Sequence, residues 1–238
     1  MRFFISALCL LLPAALTAQT CDLFYPQKPG TVLTYAMTNG KGKPEGTFNH
    51  TIKAKEGAVY TIAISGTDDK GKPLPPFEYK VKCTSGEFEI DMQSMMGNLR
   101  QAGMPESMTV TAETSFLLYP GELAVGATLP EGTMTTTLSQ DGQAMGTMRL
   151  RIYNRRVTGQ ETVTTPAGSF TAYVLEEETE VKTEMQIPGM PAGVPMPNIP
   201  PIVSKTTTYI SRGTGMVKNI SYDRSGKPEI TTVLSAIK

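Results

Sequence analysis

The sequence predicts a mainly β protein, built as a single large, strongly curved antiparallel sheet or an unclosed β-barrel, with one short covering helix at about residues 91–103. Three observations support this prediction. Thr, Val, Tyr and Ile alternate with polar residues in runs of roughly 5 to 10 residues, which is typical of strands with one wet face. Turn residues separate these runs, and one turn pattern occurs three times. A single segment, by contrast, has the apolar spacing of a helix.

The predicted strands form two groups along the chain. The first group covers 31–38, 46–55, 58–67, 77–83 and 87–91, and the second covers 134–139, 145–154, 168–183, 204–211, 216–222 and 230–236. Strands that follow one another so closely favour a meander, and long meanders curve strongly.

Three near-copies of one turn join predicted strands, at residues 39–44, 68–73 and 223–228. Each begins with Asn or Asp and ends in Gly-Lys-Pro. The Asn or Asp side chain bonds to backbone amides further along the turn, Gly supplies a positive φ, and Pro cannot donate to a central ladder. Their spacing is irregular, so we interpret them as hairpin tips and not as an internal repeat.

The helical segment follows Asp91, a favourable N-cap residue, and ends before Gly103 and Pro105. Its apolar stripe consists of Met92, Met95, Met96 and Leu99, at i, i+3, i+4 and i+7. The stripe fits a core plug beneath the sheet. It also fits a soft lid, because methionine is flexible and adapts to varied apolar shapes. In the lid hypothesis these four residues are the candidate ligand-binding residues.

Residues 185–203 contain six prolines, three methionines and no charged residue. Proline blocks both helix and ladder, so we predict a loop. A charge-free apolar loop in water is expected to pack against the protein or to bind something. It either folds back over the sheet or forms a rim that contacts lipid, a ligand or a protein partner. The candidate rim residues are Met185, Pro188, Met190 and Met196.

Residues 1–18 have the pattern of a secretory signal peptide: Arg2, then an apolar run, then Ala18 before the expected cleavage point. The apolar run is shorter than the ~20 residues that span a bilayer, although an uncleaved N-terminal anchor is the alternative. We therefore expect an exported protein that is periplasmic or at the cell surface, and that does not span the membrane. Residues 19–238 would form one antiparallel β domain.

Cysteine usage fits an oxidising compartment. Cys21 and Cys83 remain after removal of the predicted signal peptide, and such a pair favours one intramolecular disulfide. Lipidation at Cys21, or two free thiols, are the alternatives.

Composition argues against several functions. Without Arg2 the chain has 21 basic and 22 acidic residues, since the total is 22 of each, so a nucleic-acid partner is not expected. The single histidine, His50, lies in a predicted strand, where we expect a surface residue. No catalytic elbow and no adequate set of metal ligands is present, so we expect no cofactor and no enzymatic activity. The acidic run at 176–180 is typical of a solvated strand face.

Short motifs at 164–170 (TTPAGSF) and 208–218 (TYISRGTGMVK), and the opening at 24–35, resemble secreted Gram-negative envelope domains of unknown function, some of them TapB-like. The tryptophan of the second family motif is absent here. This family is similar in layout to the LolA/LolB-like lipoprotein carriers, in which a curved antiparallel sheet wraps an apolar cavity under a helical lid. The resemblance implies that residues 92–99 form the lid, that inward strand faces form the cavity wall, and that no catalytic residue is present.

The sequence therefore predicts a non-enzymatic envelope protein that binds an apolar, acyl-chain-like ligand in an unclosed β-barrel. Burial of apolar surface, at about 25 cal/mol per Å², would supply the affinity. The alternative is a structural or adaptor protein of the cell surface that uses the proline- and methionine-rich loop as a contact with another protein.

Overall fold

The computed structural model describes residues 25–26, 28–84, 87–96, 107–114, 116–186 and 199–238, without the side chains of residues 95, 96 and 114. Within these residues thirteen strands form one antiparallel sheet that does not close into a barrel, and one short helix follows the fifth strand. The predicted fold class is confirmed.

The elements lie in the following order along the chain. They are β1 (Val32–Asn39), β2 (Pro44–Glu56), β3 (Val59–Asp68), β4 (Pro73–Thr84), β5 (Glu87–Ile90), α1 (Met92–Met96), β6 (Met108–Thr114), β7 (Leu117–Pro120), β8 (Gly132–Gln140), β9 (Gln143–Thr165), β10 (Gly168–Met185), β11 (Ile202–Ser211), β12 (Gly215–Tyr222) and β13 (Pro228–Ile237).

The strand order in the sheet is β6-β8-β9-β10-β11-β12-β13-β1-β2-β3-β4-β5-β7. The first and last strands of the chain therefore pair with each other in the middle of the sheet, with Leu33 opposite Ile237. The two edge strands, β6 and β7, are consecutive along the chain and are joined by residues 115–116. Such a short connection spans at most about 11 Å, so the sheet must curve until its two edges come close together.

The three predicted turns have one common geometry. In each, the first side chain accepts two backbone hydrogen bonds of 2.8 to 3.1 Å: Asn39 from Lys41 and Lys43, Asp68 from Lys70 and Lys72, and Asp223 from Ser225 and Lys227. The glycine of the Gly-Lys-Pro sequence, which is Gly42, Gly71 or Gly226, has a positive φ in all three turns. These turns close the β1–β2, β3–β4 and β12–β13 hairpins, as the sequence predicts.

The long β9–β10 hairpin extends beyond the strand predicted at 145–154. Asn154 has a φ of 51°, and the strand nevertheless continues to Thr165. Asn154 lies in a β-bulge, where Asn154 and Arg155 on β9 face the single residue Glu177 on β10. Arg155 and Glu177 lie two residues from the buried Val157 and Leu175, so the alternation of each strand points both side chains into the protein. The expectation that all of residues 176–180 face solvent is therefore wrong for Glu177.

The core consists of two clusters. The larger cluster packs the inward residues of β2–β5, β7 and β8 against the long hairpin, with Val157 and Leu175 fully buried. The smaller cluster lies between β1, β12, β13 and the hairpin end, around Leu33, Val217 and Leu234.

The helix α1 begins as predicted. The Asp91 side chain accepts hydrogen bonds from the backbone amides of Gln93 (3.0 Å) and Ser94 (3.2 Å), which confirms the N-cap. Residues 97–103, the predicted continuation of the helix, lie outside the described residues.

Candidate functional site

An apolar cleft opens on the inner face of the sheet where β6, β8, β9 and β10 lie side by side. We call it the methionine cleft. It has a volume of about 390 Å³ and is lined by Met108, Val110, Thr136, Leu138, Met145, Gly146, Thr147, Met148, Thr183, Glu184 and Met185. This volume lies in the range of about 300–1,000 Å³ that is usual for small-molecule sites.

Strand register brings these residues together. One row across the sheet places Val110 opposite Leu138, Leu138 opposite Gly146, and Gly146 opposite Met185. The next row runs through Ala112, Thr136, Met148 and Thr183. Because side chains alternate between faces, positions two apart on each strand share the cleft face.

The floor at Gly146 requires the absence of a side chain. A Cβ placed there would lie 2.6 Å from the carbonyl oxygen of Glu184, so β9 and β10 approach closely at this point. The third row inward contains Met134, which belongs to the larger core cluster, and Leu150, which packs against it. The methionine cleft is thus the open end of the same apolar face that forms the core.

The charge of the cleft is confined to its rim. Glu184 is exposed and its carboxylate lies 2.7 Å from the Lys182 ammonium. The hydrogen bond and charge of Lys182 hold the pKa of Glu184 below its ordinary value. Of the lining residues that the structure describes, Glu184 is the one that carries a charge, and that charge is already paired.

Thr136 is the most deeply buried polar residue of the described cleft lining. The residue is 5% exposed, and its hydroxyl oxygen is buried without a hydrogen-bond partner among the described residues. Buried hydroxyl groups are usually bonded, so this one needs an explanation.

The predicted ligand-binding residues fall in different places. Met92 is 4% exposed and packs in the larger core cluster, where its sulfur lies near Gly132, as does Leu117. It does not line the methionine cleft. The side chains of Met95 and Met96, and all of Leu99, lie outside the described residues, so their role stays a prediction.

Of the predicted rim residues, Met185 ends β10, is exposed, and lines the methionine cleft. Pro188, Met190 and Met196 lie outside the described residues. The predicted loop is shorter than expected at its far end, because Ile202 and Val203 belong to β11.

Cys83 lies on β4, is disulfide-bonded, and packs against the larger core cluster. Its expected partner, Cys21, lies outside the described residues, so the predicted pairing stays a prediction.

His50 is not on the strand surface. It faces inward, with its ring centroid 5.0 Å from that of Tyr35, 5.2 Å from Phe48 and 6.3 Å from Tyr79. Its Nδ1 atom is buried without a partner in the described part of the chain. Burial lowers the pKa of His50 to about 4, so the imidazole is neutral at ordinary pH.

The N-terminal end of the described chain covers this aromatic cluster. Tyr25 stacks on Phe88 and its hydroxyl group hydrogen-bonds that of Tyr79. Burial raises the pKa of Tyr25 to about 12. The cluster contains no carboxylate, and in the residues that the structure describes no group of three His, Cys, Asp or Glu could hold a metal ion.

A second cavity, of about 540 Å³, is polar. It lies beside the β12–β13 turn and is lined by Glu176, Glu178, Val203, Lys205, Thr207, Tyr222, Asp223, Arg224 and Gly226. Lys205 already pairs with Glu176 at 3.0 Å, and Asp223 accepts the hydrogen bonds of its own turn. Glu178 accepts a hydrogen bond from Asn154, so four of the five charged residues in the described lining of this cavity already have partners within the protein, and the methionine cleft is the better candidate for a binding site.

The DUF3108-like family profile matches residues 28–234, so the chain belongs to this family of domains of unknown function. No curated protein matches the sequence significantly. Where the structure describes the chain, no helix has the length and hydropathy to cross a bilayer.

Solved structures share the fold. A protein from Bacteroides fragilis NCTC 9343, described as exported and as having a YmcC-like fold, is 19% identical with a TM-score of 0.63, over 92% of this chain and 100% of that one. A protein from Parabacteroides distasonis ATCC 8503, described as a lipoprotein, is 20% identical with a TM-score of 0.66 and the same coverage. At these identities the likeness concerns the fold alone. The Escherichia coli lipoprotein YmcC matches with a TM-score of 0.32 and 14% identity, over 91% of this chain and 88% of that one.

Proposed function

We propose that this protein is a non-enzymatic component of the cell envelope that binds an apolar, acyl-chain-like ligand in the methionine cleft. The observation that carries the proposal is the uncharged inner face of the cleft, which continues into the core and remains open at its outer end. An apolar face of this kind that is open to water either binds a ligand or partner or promotes aggregation.

The lining residues suit a ligand of variable shape. Met108, Met145, Met148 and Met185 surround the cleft, and thioether side chains repack at low cost around different apolar groups. Few polar groups are available to fix orientation. Affinity would therefore come from buried area, at about 25 cal/mol for each Å² of apolar surface removed from water.

Other observations favour the envelope as the setting. Residues 1–18 have the pattern of a signal peptide, and proteins of the same fold are described as exported or as a lipoprotein. The resemblance to TapB-like domains and to LolA/LolB-like carriers supports the same setting and a carrier-type use of the curved sheet. The protein would work in the periplasm or at the cell surface.

The test compares two neighbouring residues of β6. Val110→Lys places a charge in the cleft, whereas Thr111→Lys places the same charge on the outer face of the same edge strand. We expect saturable binding of the fluorescent apolar probe N-phenyl-1-naphthylamine by the wild-type protein. Val110→Lys should weaken it about tenfold or more, and Thr111→Lys less than twofold. An absence of saturable binding, or equal binding by both variants, would contradict the proposal.

A specific observation also favours an adaptor role. Met185, Ile202 and Val203 are large, apolar and exposed, and they lie at the two ends of the proline- and methionine-rich segment. If this segment binds an envelope protein, the double variant Ile202→Ser and Val203→Ser should abolish chemical cross-linking to that protein in cells. Binding of N-phenyl-1-naphthylamine should be unchanged in the same variant.

A further inference from the structure

We propose that the ligand of the methionine cleft is an uncharged acyl derivative with one hydrogen-bonding oxygen in or next to its chain, and that Thr136 binds this oxygen. This inference rests on the proposed function, and it names the ligand class. The cleft offers one buried hydroxyl group for such a contact, and a hydroxyl or an ester oxygen would satisfy it.

The described neighbours of Thr136 offer its hydroxyl group no hydrogen-bond partner. Thr136 lies in the second row of the cleft, between Ala112 on β6 and Met148 on β9, and neither neighbour has a polar side-chain oxygen or nitrogen. The backbone groups of β8 already serve the ladders on both sides. Thr136 is only 5% exposed, yet its Oγ1 atom has no hydrogen-bond partner among the described residues.

Water alone explains this hydroxyl group poorly. A buried water is stable where two to four polar groups surround it. The second row of the cleft offers the hydroxyls of Thr136 and Thr183 on either side of Met148, and the remaining members of that row are apolar. A ligand that brings its own apolar surface together with one oxygen matches the row better.

Among the described residues that line the cleft, none is a cation, and this indicates that the ligand is neutral there. The one charged residue of that described lining is Glu184, whose carboxylate is held at the rim by Lys182. A carboxylate or phosphate inside the cleft would lose its water without gaining a counter-charge. Thr136 lies one row deeper than Leu138, roughly 7 Å along β8, so the oxygen belongs inside the bound molecule and not at an exposed head group.

The experiment compares Thr136→Val, which removes the hydroxyl group at nearly constant shape, with Thr136→Ser, which keeps it. Displacement of N-phenyl-1-naphthylamine is measured with decane, with 3-decanol and with methyl nonanoate. In the wild-type protein and in Thr136→Ser, at least one oxygenated probe should bind more tightly than decane. Thr136→Val should lower that preference about fivefold, the usual value of one hydrogen bond. Whichever oxygenated probe loses its preference identifies the hydroxyl or the ester as the recognised group.

Unfolding of the ligand-free protein gives a second readout. If the hydroxyl group has no partner, Thr136→Val should leave the melting temperature unchanged or raise it, because an unsatisfied buried group is removed. A lower melting temperature would show an internal hydrogen bond and overturn the inference. So would an unchanged probe preference in Thr136→Val, even though decane binding would still support the proposed function. Failure of all three probes to displace the dye would overturn both.

Discussion

The Nε atom of Arg155 lies 3.2 Å from Oε2 of Glu177, and this ion pair is enclosed in the protein, with side chains 0% and 14% exposed. Nη1 of the same arginine donates to the carbonyl oxygens of Leu118 (2.8 Å) and Pro130 (2.7 Å). The guanidinium also lies 4.5 Å from the centre of the Tyr119 ring. Arg155 therefore joins the long hairpin to the edge strand β7 and to the start of β8, where the two ends of the sheet approach each other.

Loss of this arginine should destabilise the fold strongly. Arg155→Met leaves the Glu177 carboxylate buried without its partner and leaves two carbonyl groups without a donor. We expect the free energy of unfolding to fall by about 3–5 kcal/mol, measured by urea denaturation. Arg151→Met is the matched control, because Arg151 lies on the same strand but its pair with Glu131 is exposed. That change should cost less than about 1 kcal/mol. Equal costs for the two variants would contradict the assignment.

The single histidine should make stability depend on pH. Burial lowers the pKa of His50 to about 4 in the folded protein, against about 6.5 in an unfolded chain. The unfolded state therefore binds a proton more readily, and stability is lost as pH falls from about 6.5 to 4, by roughly 2–3 kcal/mol from this group. His50→Phe should flatten that part of the pH profile. An NMR titration of the one imidazole gives a direct check, and a midpoint near 6.5 would contradict the prediction.

A close backbone approach should make one glycine of β3 irreplaceable. A Cβ on Gly66 would lie 2.5 Å from the Thr47 carbonyl oxygen and 2.9 Å from the Phe48 Cβ. Gly66→Ala should therefore separate β2 from β3 and cost about 2 kcal/mol or more in chemical denaturation. Gly159→Ala is the control, because the nearest atom to its Cβ would be a Val174 methyl group at 3.9 Å. The control should be neutral or slightly stabilising. Comparable losses in both variants would argue against the steric explanation.

A substitution at Met92 distinguishes a role in the core from a role in a lid over the ligand. Met92→Ala should lower the free energy of unfolding by about 2–4 kcal/mol, because it leaves a cavity beside Leu117 and Gly132. Gly132 is four residues from Thr136 on β8, about 13 Å, so dye binding in the methionine cleft should be unchanged below the melting temperature. A tenfold loss of dye binding with unchanged stability would instead favour the lid hypothesis for Met92.

The local patterns of the sequence were sufficient for most of the sheet. Period-2 alternation located β1–β5 and most strands of the second half, and the Asn or Asp with Gly-Lys-Pro located three hairpin tips. Asp91 located the start of α1. Each of these features is decided by residues within one turn or one strand, which is why sequence reasoning can find them.

Several features were missed although the period of one strand carries them. Met108, Val110 and Ala112 of β6 alternate with polar residues. Phe48, His50 and Ile52 alternate in the same way, and this period could have placed the imidazole on the inner face. The burial of the Arg155–Glu177 ion pair is different, because it depends on partners from other segments of the chain, which spacing along one strand does not reveal.

The candidate site combines both cases. A methionine-lined apolar site was predicted, with Met92, Met95, Met96 and Leu99 as its residues, and Met185 was named as a residue of the rim loop. Met108, Met145 and Met148 were not named, because the site depends on the register of β6 on β8 and of β9 on β10. Spacing along one strand does not give the register between two strands, and two register shifts in the β9–β10 hairpin separate the cleft from the turn that joins these strands.

The place of β13 in the middle of the sheet has a consequence for how the protein is made. β13 lies between β12 and β1, so a nascent chain that has not yet released residues 228–237 has two unpaired edges where the completed fold has none. Synthesis delivers the N-terminal half first, yet that half must wait for the final strand before it joins the rest. Throughout this interval the chain offers open strand edges to chaperones and to other copies of itself. Truncation by ten residues at the C-terminus should therefore be far more harmful than its length suggests.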